Sequence, residues 1–151
     1  MLLGELLIQK GVLTQRRLKE ALDEQKKTGE FLGRILIKLG FVKEDKLIQV
    51  LSEQFDIPFL ELSRQHIDWG VALRFPSSLV VDHEYLPIRW DSKGVMVAVT
   101  NPLDAAALSE VEKLALYEKV SLALVTSSDM LEAVKQYKQK LSERIKKLFE
   151  K

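Results

Sequence analysis

The first 54 residues contain one pattern twice, and this duplication limits the folds that the chain can adopt. The segment LGELLIQKG begins at Leu3, and the related segment LGRILIKLG begins 29 residues later, at Leu32. Leucine, glycine and glutamine positions keep the same spacing over 24 residues in both copies. Because an identical pattern of glycine and apolar positions demands the same helix geometry, we expect the two copies to superpose.

Each copy predicts two helices. A short apolar segment lies between two glycines, Gly4 and Gly11 in the first copy, which suits a helix that ends at a glycine in the left-handed region. A second helix is expected to begin near Thr14, a good N-cap residue, and in the second copy near Lys43, a poor one. The apolar stripe of this second helix consists of Leu18, Ala21 and Leu22, and in the other copy of Leu47, Val50 and Leu51.

The next position on that stripe is a glutamine in both copies, Gln25 and Gln54. An amide is therefore expected where a core side chain would otherwise lie. A buried amide needs partners for its donors and its acceptor, so each glutamine either holds a neighbouring loop or binds a polar ligand.

These residues resemble the tandem motif in the N-terminal domain of type II secretion and type IV pilus assembly ATPases. In that family two such motifs, separated by five residues, bind cyclic di-GMP, and residues 26–30 give the same separation here. The family motif begins with an arginine before Leu-Gly, whereas this chain has Leu2 and Phe31, so the motif is degenerate. The candidate ligand-binding residues are Leu3, Gly4, Gly11, Leu18, Leu22, Gln25, Leu32, Gly33, Gly40, Leu47, Leu51, Gln54 and Asp104.

The four glycines of the repeats have two interpretations. They end helices or allow close helix approach, which alone would explain them. A glycine beside a helix N-terminus also exposes backbone N–H groups that suit a phosphate. Symmetry favours the second interpretation, because a duplicated element makes a twofold site and cyclic di-GMP is a twofold ligand.

Composition excludes several classes of protein. The 151 residues contain no cysteine and two histidines, which makes disulfides impossible and a zinc enzyme improbable. The net charge of +1 gives no general attraction to nucleic acid. No phosphate-binding loop, signal peptide or membrane-spanning run occurs. We therefore expect a cytoplasmic protein that is not an enzyme and needs no cofactor.

After the tandem-repeat helices of residues 1–54, residues 55–76 are expected to form a connector with a short extended piece around an X-Pro step. Residues 77–137 read as an α/β subdomain: two strands in a hairpin, a helix, a third strand and a long helix. This half resembles the same ATPase family. Residues 138–151 are a basic helical tail or linker.

Five residues outside the repeats have side chains that are common in functional sites. Asp104, in the segment Asn-Pro-Leu-Asp, is expected to cap a helix, with a contact to a ligand between subdomains as the alternative. His66 and His83 are expected on the surface or in loops, because no sequence pattern groups them with a nucleophile. Trp69 and Trp90 are expected in the core or at a subdomain interface.

The sequence thus predicts an α+β protein with a helical N-terminal half and a small βαβ-containing sheet. The resemblance implies a regulatory domain that docks an ATPase motor to a secretion or pilus platform protein, or senses cyclic di-GMP. The alternative is a stand-alone protein-interaction adaptor that binds no nucleotide. The basic tail leaves a third class, a peripheral protein at the inner membrane face.

Overall fold

The computed structural model describes residues 2–150, and the chain divides into two compact units between Asp56 and Ile57. We call them the N-terminal unit and the C-terminal unit. In the described part of the N-terminal unit, the helices in chain order are α1 (Leu3–Gln9), α2 (Gln15–Thr28), α3 (Leu32–Lys38) and α4 (Glu44–Phe55).

The short helices α1 and α3 end in the same way. Gly11 and Gly40 both have φ of +73°, in the left-handed region, as predicted. In each repeat the amide after the glycine donates to the carbonyl five residues back, at 2.9 Å. The glycine amide itself donates to the carbonyl three residues back, at 3.0 Å. This pair of bonds is the Schellman motif, and it satisfies carbonyls that the helix end leaves without partners.

The longer helices α2 and α4 begin at equivalent positions but end differently. The Thr14 hydroxyl accepts a hydrogen bond from the Arg17 amide at 3.2 Å, whereas Lys43 gives no side-chain cap, so both predictions are confirmed. Helix α2 continues for 14 residues to the left-handed Gly29. Helix α4 has 12 residues and ends at the left-handed Asp56.

The core of the N-terminal unit takes apolar residues from both repeats, and α3 packs against α1 and α2. The predicted stripe is wrong at one position: Leu22 is 38% exposed, whereas its counterpart Leu51 is 1% exposed. Equivalent leucines of the two repeats therefore differ in burial. The buried core residues are Leu3, Leu6, Leu7, Leu13, Ala21, Leu32, Ile35, Leu36, Val42, Leu47, Val50 and Leu51.

The C-terminal unit contains a mixed sheet with the strand order β1-β2-β3 in the described residues. Strands β1 (Tyr85–Asp91) and β2 (Gly94–Val99) form the predicted antiparallel hairpin. Helix α6 (Ala105–Leu114) then leads to β3 (Val120–Leu124), which pairs parallel to β2. The predicted α+β fold with a βαβ connection is confirmed.

The segment before the sheet supplies one more extended piece. Leu60 donates its amide to the Leu124 carbonyl at 2.9 Å, and Leu124 donates to the Pro58 carbonyl at 2.8 Å, so this piece lies along the edge of β3. A 3₁₀ turn at Leu62–Arg64 and the short helix α5 (Trp69–Ala72) follow.

A π-helical turn at Ser78–Asp82 precedes β1. The final helix α7 (Ser127–Phe149) is capped by the Thr126 hydroxyl, which accepts from the Asp129 amide at 3.2 Å. Tyr137 of this helix is buried and donates its hydroxyl proton to the Phe75 carbonyl. Within residues 2–150, no helix is both long and apolar enough to span a bilayer.

Candidate functional site

Twelve of the thirteen candidate residues lie in the N-terminal unit, and Asp104 lies in the C-terminal unit. Within the N-terminal unit the residues form two equivalent sets, one in each repeat. Leu3, Leu32, Leu47 and Leu51 are core residues, so their side chains are part of the folded scaffold.

One close contact occurs in both sets, between a glycine near the start of the short helix and a leucine of the following helix. A Cβ atom on Gly4 would lie 2.5 Å from Leu18 Cδ1, and one on Gly33 would lie 2.9 Å from Leu47 Cδ2. Real Cβ atoms do not approach other atoms so closely, so both positions require glycine if the leucine stays in place. The structural interpretation of Gly4 and Gly33 as sites of close approach is supported by these distances.

The residues just before these Leu-Gly pairs differ between the repeats. Leu2 is 73% exposed. Phe31 is half-buried, and a Cβ on Gly33 would lie 2.7 Å from its ring atom Cε2. The phenyl ring thus covers Gly33, so in the second repeat an apolar group lies directly on the glycine backbone.

The two glutamines have different environments. Gln25 is half-buried and donates from Nε2 to the Glu30 carbonyl at 3.0 Å, so it holds the loop that joins the repeats. Gln54 is exposed, and the prediction of an amide in a core position is wrong there. A cleft of about 140 Å³ lies at this loop, and two of the residues that line it, Lys38 and Glu30, form an ion pair at 2.7 Å.

One cation near the repeats was missed by sequence reasoning. The Arg17 guanidinium lies 5.1 Å from the centroid of the Phe41 ring, which is a cation–π distance. Arg17 belongs to the first repeat and Phe41 to the second, so this contact joins the two copies. No sequence pattern predicts this contact, because the pairing depends on how the repeats pack.

Asp104 is the N-cap of α6, as predicted: its Oδ1 accepts from the Ala107 amide at 3.0 Å. Its other oxygen, Oδ2, lies 2.7 Å from Nδ1 of His83. Both carboxylate oxygens are therefore already engaged within the C-terminal unit. His83 lies in a loop, as predicted, but its pairing with Asp104 across 21 residues was not visible in the sequence.

Tyr85 completes this cluster. Its buried hydroxyl donates to the Asn101 carbonyl at 2.8 Å. Burial, and then the negative charge of Asp104, raise the pKa of Tyr85 well above the usual range of a phenol. Tyr85 is therefore a neutral donor that fixes the Asn-Pro-Leu-Asp segment.

The C-terminal unit also has an open groove of about 400 Å³. None of the candidate residues lines it. Trp69 lies in its wall, with the Lys140 ammonium 5.6 Å from the ring centroid, and His66 is exposed at its edge. The groove is lined by Leu62, Ser63, Gln65, His66, Ile67, Trp69, Asp129, Glu132, Ala133 and Gln136.

Trp90 is half-buried, and its ring lies 6.0 Å from that of Phe75, between centroids. Its indole N–H donates to a Glu118 carboxylate oxygen at 2.7 Å. This environment is that of a packed aromatic side chain. Among the described residues, no group of three or more histidines and carboxylates is arranged to hold a metal ion.

Residues 55–144 match the family described as the MshEN domain. The matched region begins immediately after Gln54, the last residue of the second repeat.

The chain is 33% identical over 114 residues to the type IV pilus assembly ATPase PilB of Thermus thermophilus. The matched region covers 74% of this chain and 13% of that protein. It is 26% identical over 135 residues to PilB of Myxococcus xanthus, covering 89% of this chain and 24% of that protein. The chain thus spans less than a quarter of the length of these relatives.

A solved structure of MshE with cdg, cyclic di-GMP, has the same fold, with a TM-score of 0.74 and 27% identity. The superposition covers 91% of this chain and 99% of that chain, and therefore includes residues of both the repeats and the sheet.

Proposed function

This chain belongs to the MshEN domain family, and on that premise we propose that it is a non-catalytic regulatory or docking domain of the secretion and pilus ATPase type, with a weakened cyclic di-GMP site in its tandem repeats. The observation that carries the proposal is the duplicated contact of Gly4 with Leu18 and of Gly33 with Leu47. Two equivalent helix-on-helix contacts suit a ligand that has twofold symmetry.

The likeness to MshE with cyclic di-GMP supports a binding role, because it extends over nearly the whole of both chains. In our proposal the close glycine–leucine contacts hold the starts of α1 and α3 in place. The half-buried Leu18 and the exposed Leu22 provide apolar surface for the guanine bases or the ribose-phosphate ring. Gln25 contributes by fixing the loop between the repeats, through its bond to the Glu30 carbonyl.

The weakening follows from Leu2 and Phe31, which stand where the family motif has arginines. A guanidinium makes bidentate contacts with guanine or phosphate, and a charge-assisted bond of this kind is worth about 1.5–3 kcal/mol. Without one in each repeat, binding is weaker by about 3–6 kcal/mol, on the order of a hundred- to ten-thousandfold. Phe31 also covers Gly33, which reduces access to the backbone there.

Calorimetry with cyclic di-GMP tests the site. We expect weak or undetectable heat from the native chain and at least a hundredfold gain for Leu2→Arg with Phe31→Arg. A matched control carries the same two added charges at exposed positions of the C-terminal unit, Leu116→Arg with Tyr117→Arg, and should show no gain. Circular dichroism of each variant checks that the loss of the Phe31 ring leaves the helices folded.

Two results would contradict this proposal in different ways. Tight binding by the native chain would show that other groups replace the missing arginines, and the site would not be weakened. No binding by the folded double variant would leave the second candidate function, an adaptor without nucleotide.

The adaptor function is favoured by one observation: apolar side chains stand at both positions, Leu2 exposed and Phe31 packed on Gly33. Its partners would be a pilus or secretion platform protein or an ATPase motor domain. An affinity measurement between this chain and those two proteins, with and without cyclic di-GMP, separates the functions. A regulatory domain should change affinity with the nucleotide, and an adaptor should not.

A further inference from the structure

Helix α7 continues beyond the core of the C-terminal unit. Tyr137 is buried, and Leu141 is half-buried against the core cluster. The next apolar side chains are exposed: Ile145 by 47%, Leu148 by 71% and Phe149 by 85%. The same apolar stripe that packs on the sheet therefore continues into solvent.

The last turns of α7 have two chemically different faces. Successive residues on a helix are 100° apart, so Leu141, Ile145 and Leu148 lie on one side. Arg144 and Lys146, the two neighbours of Ile145 in sequence, lie on opposite borders of that side. The two carboxylates, Glu143 and Glu150, fall on the far side of the helix, where Lys147 is their neighbour.

Positive charge is concentrated on this segment. Residues 138–150 contain five basic and two acidic side chains, whereas the whole chain has a net charge of only +1. Two of the five are used within the C-terminal unit: Lys140 lies over Trp69, and Arg144 donates to the Leu73 carbonyl at 3.4 Å. Lys146 and Lys147 are exposed and form no ion pair with any residue between 2 and 150.

We propose that residues 142–150 of α7 bind an anionic lipid surface. Ile145, Leu148 and Phe149 enter the headgroup region, and Lys146, at the border of that strip, contacts lipid phosphates. Lys147 adds positive charge from farther round the helix. An apolar strip bordered by cations, with acidic groups on the opposite side, is the arrangement of helices that lie in a bilayer interface.

The charge pattern favours lipid over a second copy of this helix. Two such helices would bring their bordering cations together, and like charges repel. The exposed strip is also only three side chains long, whereas a stable protein interface needs roughly 800 Å² from each partner. A lipid surface supplies both opposite charge and unlimited area.

Vesicle cosedimentation of the full chain tests the proposal. We expect binding to vesicles rich in phosphatidylglycerol, little binding to pure phosphatidylcholine, and release at about 0.5 M salt, where charges are screened. Lys146→Gln with Lys147→Gln should weaken binding about tenfold or more, since each basic residue near an anionic surface contributes to attachment. Ile145→Ser with Phe149→Ser should weaken it by a similar factor.

Matched controls separate the tail from general surface effects. Lys26→Gln with Lys27→Gln removes the same charge from the end of α2, and Leu116→Ser with Tyr117→Ser removes exposed apolar groups from the α6–β3 loop. Both controls should bind vesicles like the native chain. The proposal is overturned if native protein does not sediment with anionic vesicles, or if the tail variants bind as well as the controls.

A dimer that dissociates in the Ile145→Ser, Phe149→Ser variant, with no vesicle binding, would assign the face to a second copy instead. Sedimentation equilibrium without lipid detects that result. Absence of lipid binding would leave the cyclic di-GMP proposal unaffected, because that proposal depends on the N-terminal unit.

Discussion

The backbone of Gly33 lies so close to Leu47 that a Cβ atom on the glycine would be 2.9 Å from Leu47 Cδ2. In the other repeat, a Cβ on Gly4 would be 2.5 Å from Leu18 Cδ1. Leu47 is buried and Leu18 is half-buried, so the two leucines differ in how freely they can move aside.

Alanine at the two glycines should therefore have unequal effects. Gly33→Ala meets both Leu47 and the Phe31 ring, and we expect it to lower the free energy of unfolding by about 1–3 kcal/mol, as for overpacked cores. Gly4→Ala should lower the free energy of unfolding less, because the half-buried Leu18 has more room to move than the buried Leu47. Urea unfolding of both variants measures the difference, and an equal loss would contradict this account.

Leu51→Ala and Leu22→Ala should also differ, although the two leucines hold equivalent positions in the repeats. Leu51 is 1% exposed, so its truncation leaves a cavity and should cost about 2–5 kcal/mol. Leu22 is 38% exposed, so Leu22→Ala should lower the free energy of unfolding clearly less. The measurement is the midpoint of chemical denaturation. Similar losses would mean that Leu22 is covered in solution.

Tyr85 should make the fold sensitive to alkaline pH. The phenol has a usual pKa of 10.0, and burial followed by the charge of Asp104 raises the pKa of Tyr85 in the folded protein. Above about pH 10 the unfolded chain loses this proton while the folded chain keeps it. The stabilisation is therefore complete below that pH and declines as pH rises toward the folded pKa.

Tyr85→Phe should make that alkaline decline shallower, although the loss of the bond to Asn101 costs about 0.5–1.5 kcal/mol at neutral pH. Burial also raises the pKa of Tyr137, so some decline should remain. The free energy of unfolding at pH 8 and at pH 11 gives the loss of stability with pH for native protein and for the variant. Tyr117→Phe, at an exposed position, is the control. Parallel slopes for Tyr85→Phe and native protein would exclude Tyr85 as the source.

Two truncations of α7 should separate its packed part from its exposed part. Removal of residues 145–151 should leave the melting curve nearly unchanged, because Ile145, Leu148 and Phe149 are exposed. Removal of residues 141–151 also deletes Leu141, which packs on the core, and Arg144, which donates to Leu73. We expect a lower melting temperature only for the longer deletion. Identical melting curves for the two would place Leu141 outside the core.

The architecture of the chain could be predicted in large part from local patterns. The glycine spacing predicted the left-handed helix ends at Gly11 and Gly40, because only glycine adopts positive φ without strain. Thr14 and Asp104 were predicted as caps for a similar reason, since a short polar side chain can reach the first free amides of a helix. These features involve residues a few positions apart.

The candidate site was less predictable. The repeats imply the same role for Gln25 and Gln54, but Gln25 holds the Glu30 carbonyl and Gln54 is exposed. Neither the pairing of His83 with Asp104 nor the contact of Arg17 with Phe41 has a signature in the sequence. In each case the partner lies on a different element.

Local sequence patterns are enough to predict the duplicated helices, the positions where those helices begin and end, and the α+β order of elements. Hydrogen bonds between near neighbours and the φ range of glycine decide these features. The packing of the folded chain, in contrast, determines that Leu51 is covered while Leu22 is not, and that the apolar stripe of α7 enters solvent after Leu141. The physical reason is that burial depends on which surface lies opposite a side chain, and equal sequences in two repeats do not have equal neighbours.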